Sequence, residues 1–201
     1  MSTAAVRRGR PGYDIESLLA VAVEVFNERG YDGTSMEDLA QRLGISKSAI
    51  YHHVPSKDSL LGLALDRALI GLEEAAGQVR RMEGRAVERL ESLVRASVVV
   101  LVEQVPYVTL LLRVHGNSRV ECDALARRRR LDRLAATLVA EARREGDLRP
   151  DVDPKVTARL IFGMVNSLVE WVRPGSGRDA ETLATAVTAV AFDGLRTVPS
   201  R

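Results

Sequence analysis

Between Thr34 and Lys57 two short apolar-striped segments meet at a single glycine, Gly44, and this constrains the chain more than any other feature. The first carries Leu39, Ala40 and Leu43, and the second carries Ile45 and Ile50. Each is too short to be stable alone, so each must be held by packing against a neighbour. Gly44 supplies the positive φ of a tight turn, and the small Ala40 lets two helices cross closely. That spacing predicts a helix-turn-helix. Thr34-Ser35-Met36-Glu37 reads as a capping box, with Thr34 and Glu37 satisfying each other's amides. Ser46 reads as the N-cap of the second helix. The outward residues of that second helix, Lys47, Ser48, Ala49 and His52, are small or basic, which suits a major groove.

Periodicity extends the helical pattern in both directions. Asp14 caps a first helix over 15–29, striped by Ile15, Leu18, Leu19, Ala22, Val25 and Phe26 and stopped by Gly30. Pro55-Ser56 opens a fourth helix, from 57 to the 77–84 region, with Leu61, Ala64, Leu65, Ala68 and Leu72 on one face. Beyond it the spacing predicts helices over 85–103, 107–114, 121–145, 154–172 and 180–196. The fourth of these starts at Asp153-Pro154 and stops at Pro174-Gly175. No period-2 strand of useful length survives, so the fold class is all-α, with about nine helices. The predicted division is a flexible basic arm at 1–13, a three-helix domain at 14–56, and a larger helical domain at 57–201.

Charge argues by position rather than by sum. The formal net charge is +2, and residues 1–60 carry seven Lys/Arg against eight Asp/Glu. Yet Arg7, Arg8 and Arg10 form a purely basic opening, and 46–57 holds Lys47, Lys57, His52 and His53 with no acid. These read as an arm suited to a minor groove and a face suited to a polyanion. The four-arginine run Arg127–Arg130 covers every side of a helix, so its members are expected to snorkel or pair with acids such as Glu121 and Asp123. The lone Cys122 offers no disulfide and reads as a buried or half-buried thiol. His52 and His53 point about 100° apart on a helix and have no third ligand nearby, so no metal is expected. Neither a P-loop, G-x-S-x-G, H-E-x-x-H nor dinucleotide fingerprint is present, which argues against an enzyme and against any cofactor. The residues show no secretory pattern, and the apolar stretch 96–112 is broken by Glu103, Gln104 and Pro106, so the expected location is cytoplasmic, at the nucleoid.

Gly30-Tyr31, Thr34 to Ala40, Leu43 to Val54 and Ser56 to Leu61 together resemble the TetR family of regulators, over about residues 14–65. The resemblance implies a homodimeric repressor that binds double-stranded operator DNA and is released by a ligand. Carried over by position, Thr34, Tyr51, His52 and Lys57 are implied phosphate contacts, with Ser46 at the start of the same helix. Lys47, Ser48 and Ala49 are implied base readers. Ser48 departs from a frequent glycine and His53-Val54 from two frequent aromatics, so the base preference does not transfer.

The last two helical patterns, 154–172 and 180–196, are rich in small and apolar residues that a lone pair cannot hide. They are the expected dimer interface. The middle helices are where a pocket belongs, and Tyr107, Arg113, His115 and Asn117 are the polar candidates within the most apolar neighbourhood. An apolar lining implies a hydrophobic or amphipathic ligand. The ending Trp171-Val172-Arg173-Pro174-Gly175 resembles regulators that take acyl thioesters. The fourth helix is expected to act as the lever between ligand and DNA.

Overall fold

The computed structural model describes residues 14–173 and 179–193, and among these the chain is helical without a strand. It divides into two compact units, residues 1–61 and 62–201.

The first unit contains α1 (Ile15–Arg29), α2 (Met36–Leu43), α3 (Lys47–Tyr51) and the opening turn of α4 (Lys57–Arg81). Asp14 caps α1 by accepting the Ser17 amide at 2.7 Å. Leu18, Leu19, Ala22, Val23, Val25 and Phe26 recur at helical steps and are all buried. The unit's own core is completed by Leu39, Ile50, Val54, Leu60 and Leu61. Each such leucine or isoleucine contributes about 1.5–3 kcal/mol by leaving water, which is what holds helices as short as α2 and α3.

Two details differ from the sequence reading. The capping box of α2 belongs to Ser35 and Asp38, one residue later than Thr34 and Glu37. The Ser35 amide donates to Asp38 at 2.8 Å, and the Asp38 amide donates to Ser35 Oγ at 3.2 Å. The boundary between units also falls inside α4, after Leu61, rather than at 56/57. Leu60 and Leu61 are wholly buried, and Lys57 and Asp58 both bond to residues of the loop before α2, so the first turn of α4 belongs physically with α1–α3.

The second unit holds the rest of α4, then α5 (Ala86–Glu103), α6 (Val105–Arg113), α7 (Arg119–Arg144), α8 (Pro154–Ser167, continued by a 3-10 turn at Leu168–Glu170) and α9 (Ala180–Asp193). α5 is the central rod, packing against α6, α7, α8 and α9. Its Leu90, Leu93, Val94, Val98 and Leu101 are buried on one stripe. α4 approaches α5 closely at Gly71, where an added Cβ would lie 3.1 Å from Val100. Asp153 caps α8 through the Val156 amide at 2.8 Å, with Pro154 in the first turn. Residues 194–196 and Pro174-Gly175, the expected ends of the last two helices, lie outside the described residues.

The arginine run pairs across helices rather than along α7. Arg127 grips both carboxylate oxygens of Glu73 on α4 at 2.9 and 2.7 Å and also bonds Asp66. Arg130 stands 3.7 Å from Glu73. Glu121, one expected partner, is instead buried and accepts the Gly116 and Asn117 amides at 2.8 and 2.6 Å, tying the α6–α7 loop to α7. Cys122 is exposed rather than buried, its thiol donating to the Gly116 carbonyl at 3.3 Å.

Candidate nucleic-acid interface

The α2–α3 turn is built by Gly44, whose φ of 66° and ψ of 31° are left-handed. Its amide reaches the Gln41 carbonyl at 3.2 Å, and the Ile45 amide reaches Ala40 at 3.1 Å, closing α2. Two residues on, Ser46 caps α3 by accepting the Ala49 amide at 3.2 Å, and its hydroxyl also shares a 2.9 Å bond with Ser48. Ile50 is completely buried, so the opposite side of the short helix is forced outward. Lys47, Ser48, Tyr51 and His52 are exposed on it, and Ala49 is half-exposed. Tyr51 is 44% exposed.

Lys47 pairs with Glu37 of α2 on the outer surface. The hydrogen bond between them holds the Glu37 carboxyl below its ordinary range and lifts the Lys47 ammonium above its own. The cation of the turn is therefore paired with a carboxylate on the exposed surface. Sequence reasoning assigned Glu37 to the capping box and so missed this partnership. The signal was there: Glu37 and Asp38 are adjacent, and only one of them can serve the cap.

Two implied phosphate contacts have partners within the unit. Thr34 is 2% exposed and its hydroxyl donates to the Gly30 carbonyl at 2.7 Å. The Lys57 ammonium donates to the Tyr31 carbonyl at 2.9 Å and the Thr34 carbonyl at 2.8 Å, and lies 4.2 Å from the centre of the Tyr31 ring. Tyr31 itself packs edge-on against Phe26, with ring centres 5.2 Å apart. Lys57 thus has two carbonyl partners of its own at the start of α4. Arg7, Arg8 and Arg10 lie outside the described residues.

In the second unit a cavity of about 60 Å³ opens among α4, α5, α6, α7 and α8. Its apolar wall includes Leu72, Leu93, Leu101, Val108, Leu111 and Phe162, and its polar groups are Ser97, Arg128, Asp132 and Asn166. The sequence candidates Tyr107, Arg113, His115 and Asn117 are not among its walls. Tyr107 is half-buried with the Arg67 guanidinium 5.9 Å from its ring centre, while Arg113, His115 and Asn117 are exposed at or after the end of α6.

A capped turn holding an exposed short helix, joined by one continuous α4 to a larger all-helical unit with an internal cavity, defines a helix-turn-helix regulator with a sensor half. The comparisons agree. Residues 18–64 match the family of bacterial regulatory proteins of the tetR type, and residues 83–195 match the tetracyclin repressor-like C-terminal domain. The HTH-type transcriptional repressor KstR2 of Rhodococcus jostii is 27% identical over 201 residues, covering 93% of each chain. The crystal structure of SCO3833, a TetR-family regulator of Streptomyces coelicolor A3, superposes with a TM-score of 0.83 at 48% identity, over 98% of this chain and 96% of that one. AibR, solved in complex with isovaleryl coenzyme A and operator DNA, is 27% identical with a TM-score of 0.72, over 89% of this chain and 97% of its own. The chain belongs to the TetR family. It is a DNA-binding transcriptional regulator, not an enzyme.

Proposed function

We propose that the protein is a repressor, acting in the cytoplasm at the nucleoid, that binds a two-fold operator as a homodimer and leaves it when a small amphipathic molecule enters the sensor unit. The observation that carries the DNA half is the outward face of α3, where Lys47, Ser48, Tyr51 and His52 stand exposed above a fully buried Ile50. Such a face fits a major groove, with Lys47, Ser48 and Ala49 toward base edges and Tyr51 and His52 toward the backbone. The basic residues Arg7, Arg8 and Arg10 suit the adjacent minor groove.

The dimer reading rests on apolar side chains left in water on the last two helices. Leu160 is 68% exposed, Val156 55% and Val190 70%. Pairing α8 and α9 with the same elements of a second copy covers them and supplies the two-fold symmetry that half-sites about 34–36 Å apart, one helical turn of DNA, call for. The cavity supports the ligand reading: its leucines, valines and phenylalanine favour an acyl or alicyclic body, and the four polar groups favour a polar end. An acyl thioester is one molecule of this kind, as in the AibR complex. At about 60 Å³ the cavity is smaller than the ~300–1,000 Å³ of ordinary ligand sites, so occupation must part the helices around it. Movement of α4 then re-aims the head, and a coupling of about 1–3 kcal/mol weakens DNA binding ~5–150-fold.

The test is binding of the purified protein to fragments from upstream of its own gene, with footprinting. A protected pair of half-sites one turn apart, and an affinity that falls steeply with salt, are expected. A protein that retards no fragment at low salt would refute the proposal.

A further inference from the structure

Arg128 stands apart from its neighbours in the arginine run. Arg127 and Arg130 are committed to Glu73 and Asp66. Arg128 is half-buried, lines the cavity, and makes one long hydrogen bond, from Nη1 to the Leu111 carbonyl at 3.3 Å. It has no carboxylate within ion-pair distance among the described residues, although Asp132, one turn along α7, lines the same cavity. Asp132 is exposed, so water screens it, while Arg128 is set deeper against Leu111 and Leu131. A guanidinium carries five N–H donors, and this one spends a single long hydrogen bond within the protein, so its fork is available to a molecule entering the cavity. Asn166 of α8 adds a side-chain amide to the same cavity.

We infer that Arg128 anchors an anionic end group, so that the effector is an apolar chain or ring body terminating in an oxyanion, with Asn166 donating beside it. This rests on the reading of the cavity as the effector site. The planar fork of arginine meets a carboxylate or phosphate in parallel hydrogen bonds, which a hydroxyl or an amine does not offer. The oxyanion has two sources, the carboxylate of a free acid or the phosphates of a thioester carrier. Because Arg127 precedes Arg128 on α7 and holds α4 through Asp66 and Glu73, a turn of α7 drawn by the anion bears directly on the lever helix.

The experiment measures affinity by calorimetry, and operator release by anisotropy, for octanoate, octanoyl coenzyme A, octanol and octylamine. Octanoate or its thioester is expected to bind at least ~10-fold more tightly than octanol. Arg128→Met should erase that preference, and Arg128→Lys should restore part of it. Octanoate alone would identify a free acid and the thioester alone a carrier phosphate, either of which supports the anchor. Octanol binding as well as octanoate, an Arg128→Met protein with an unchanged preference, or an octylamine preference lost in Asp132→Asn would each overturn the anchor while leaving the cavity reading standing. If none of the four binds and none releases the operator, both fall together.

Discussion

Lys57 and Lys47 are both cations on the DNA-facing unit, and their surroundings give them different work. Lys57 donates to two loop carbonyls and sits against Tyr31, so it fastens α4 to the segment leading into α2. Lys57→Met should lower the unfolding free energy by about 1–3 kcal/mol, because two half-buried carbonyls lose a charged donor. Chemical denaturation measures this. If fastening is its whole role, the slope of log affinity against log salt stays at the wild-type value; a slope flatter by about one would mean that Lys57 releases the loop to meet a phosphate. Lys47 is instead neutralised by Glu37 on an exposed surface. Glu37→Gln should free it and remove a like charge from the approach of DNA, tightening binding roughly 2–5-fold with a steeper salt slope in anisotropy titrations. Weaker binding on that substitution would mean that Glu37 itself reads a base.

At the scale of the element, the caps decide where helices start, and here the sequence was legible only in part. Thr34-Ser35-Met36-Glu37-Asp38 contains two overlapping boxes, Thr34 with Glu37 and Ser35 with Asp38, and local chemistry cannot choose between them. The choice is made by tertiary structure: Thr34 is buried and bonded back to Gly30, which leaves Ser35 to cap. Gly44, by contrast, was readable at once, because a turn between two short apolar stripes needs a left-handed residue there. An added Cβ at Gly44 meets nothing within 4 Å, so Gly44→Ala should cost only the backbone term, about 1–2 kcal/mol, with the structure otherwise unchanged. The capping carboxylates also set an acid limit. Asp38 is held below its ordinary range by hydrogen bonds from the Ser35 side chain and backbone, and Asp14 likewise by Ser17. A depressed carboxyl contributes stability above the unfolded-state value near pH 4 and loses it as pH falls through the lower folded value. Melting temperature should therefore drop below about pH 4, and more shallowly in Asp38→Asn, whose residue 38 no longer titrates.

For the whole molecule, periodicity gave the helix count and the faces that turn inward, yet not where those faces fail to meet. The cavity is made by side chains scattered over α4, α5, α6, α7 and α8, such as Leu72, Leu101, Leu111, Arg128 and Phe162, each unremarkable in its own stripe. Choosing polar residues near the most apolar stretch led to the end of α6, where Arg113 and His115 face solvent. The proposed dimer face is better marked, since Leu160 and Val190 stay exposed on helices whose opposite sides are buried. Leu160→Glu should shift the protein to monomer by sedimentation at micromolar concentration while leaving helix content by circular dichroism unchanged; a dimer that persists would place the interface elsewhere.

The closed state of the cavity bears on timing as well as affinity. On the proposed reading of the cavity as the effector site, about 60 Å³ is too little for a small amphipathic molecule, so the surrounding helices part before or during its entry. Capture followed in a rapid-mixing instrument should then level off to a fixed rate as the added molecule is raised, the rate of that separation, in place of climbing in proportion to dose.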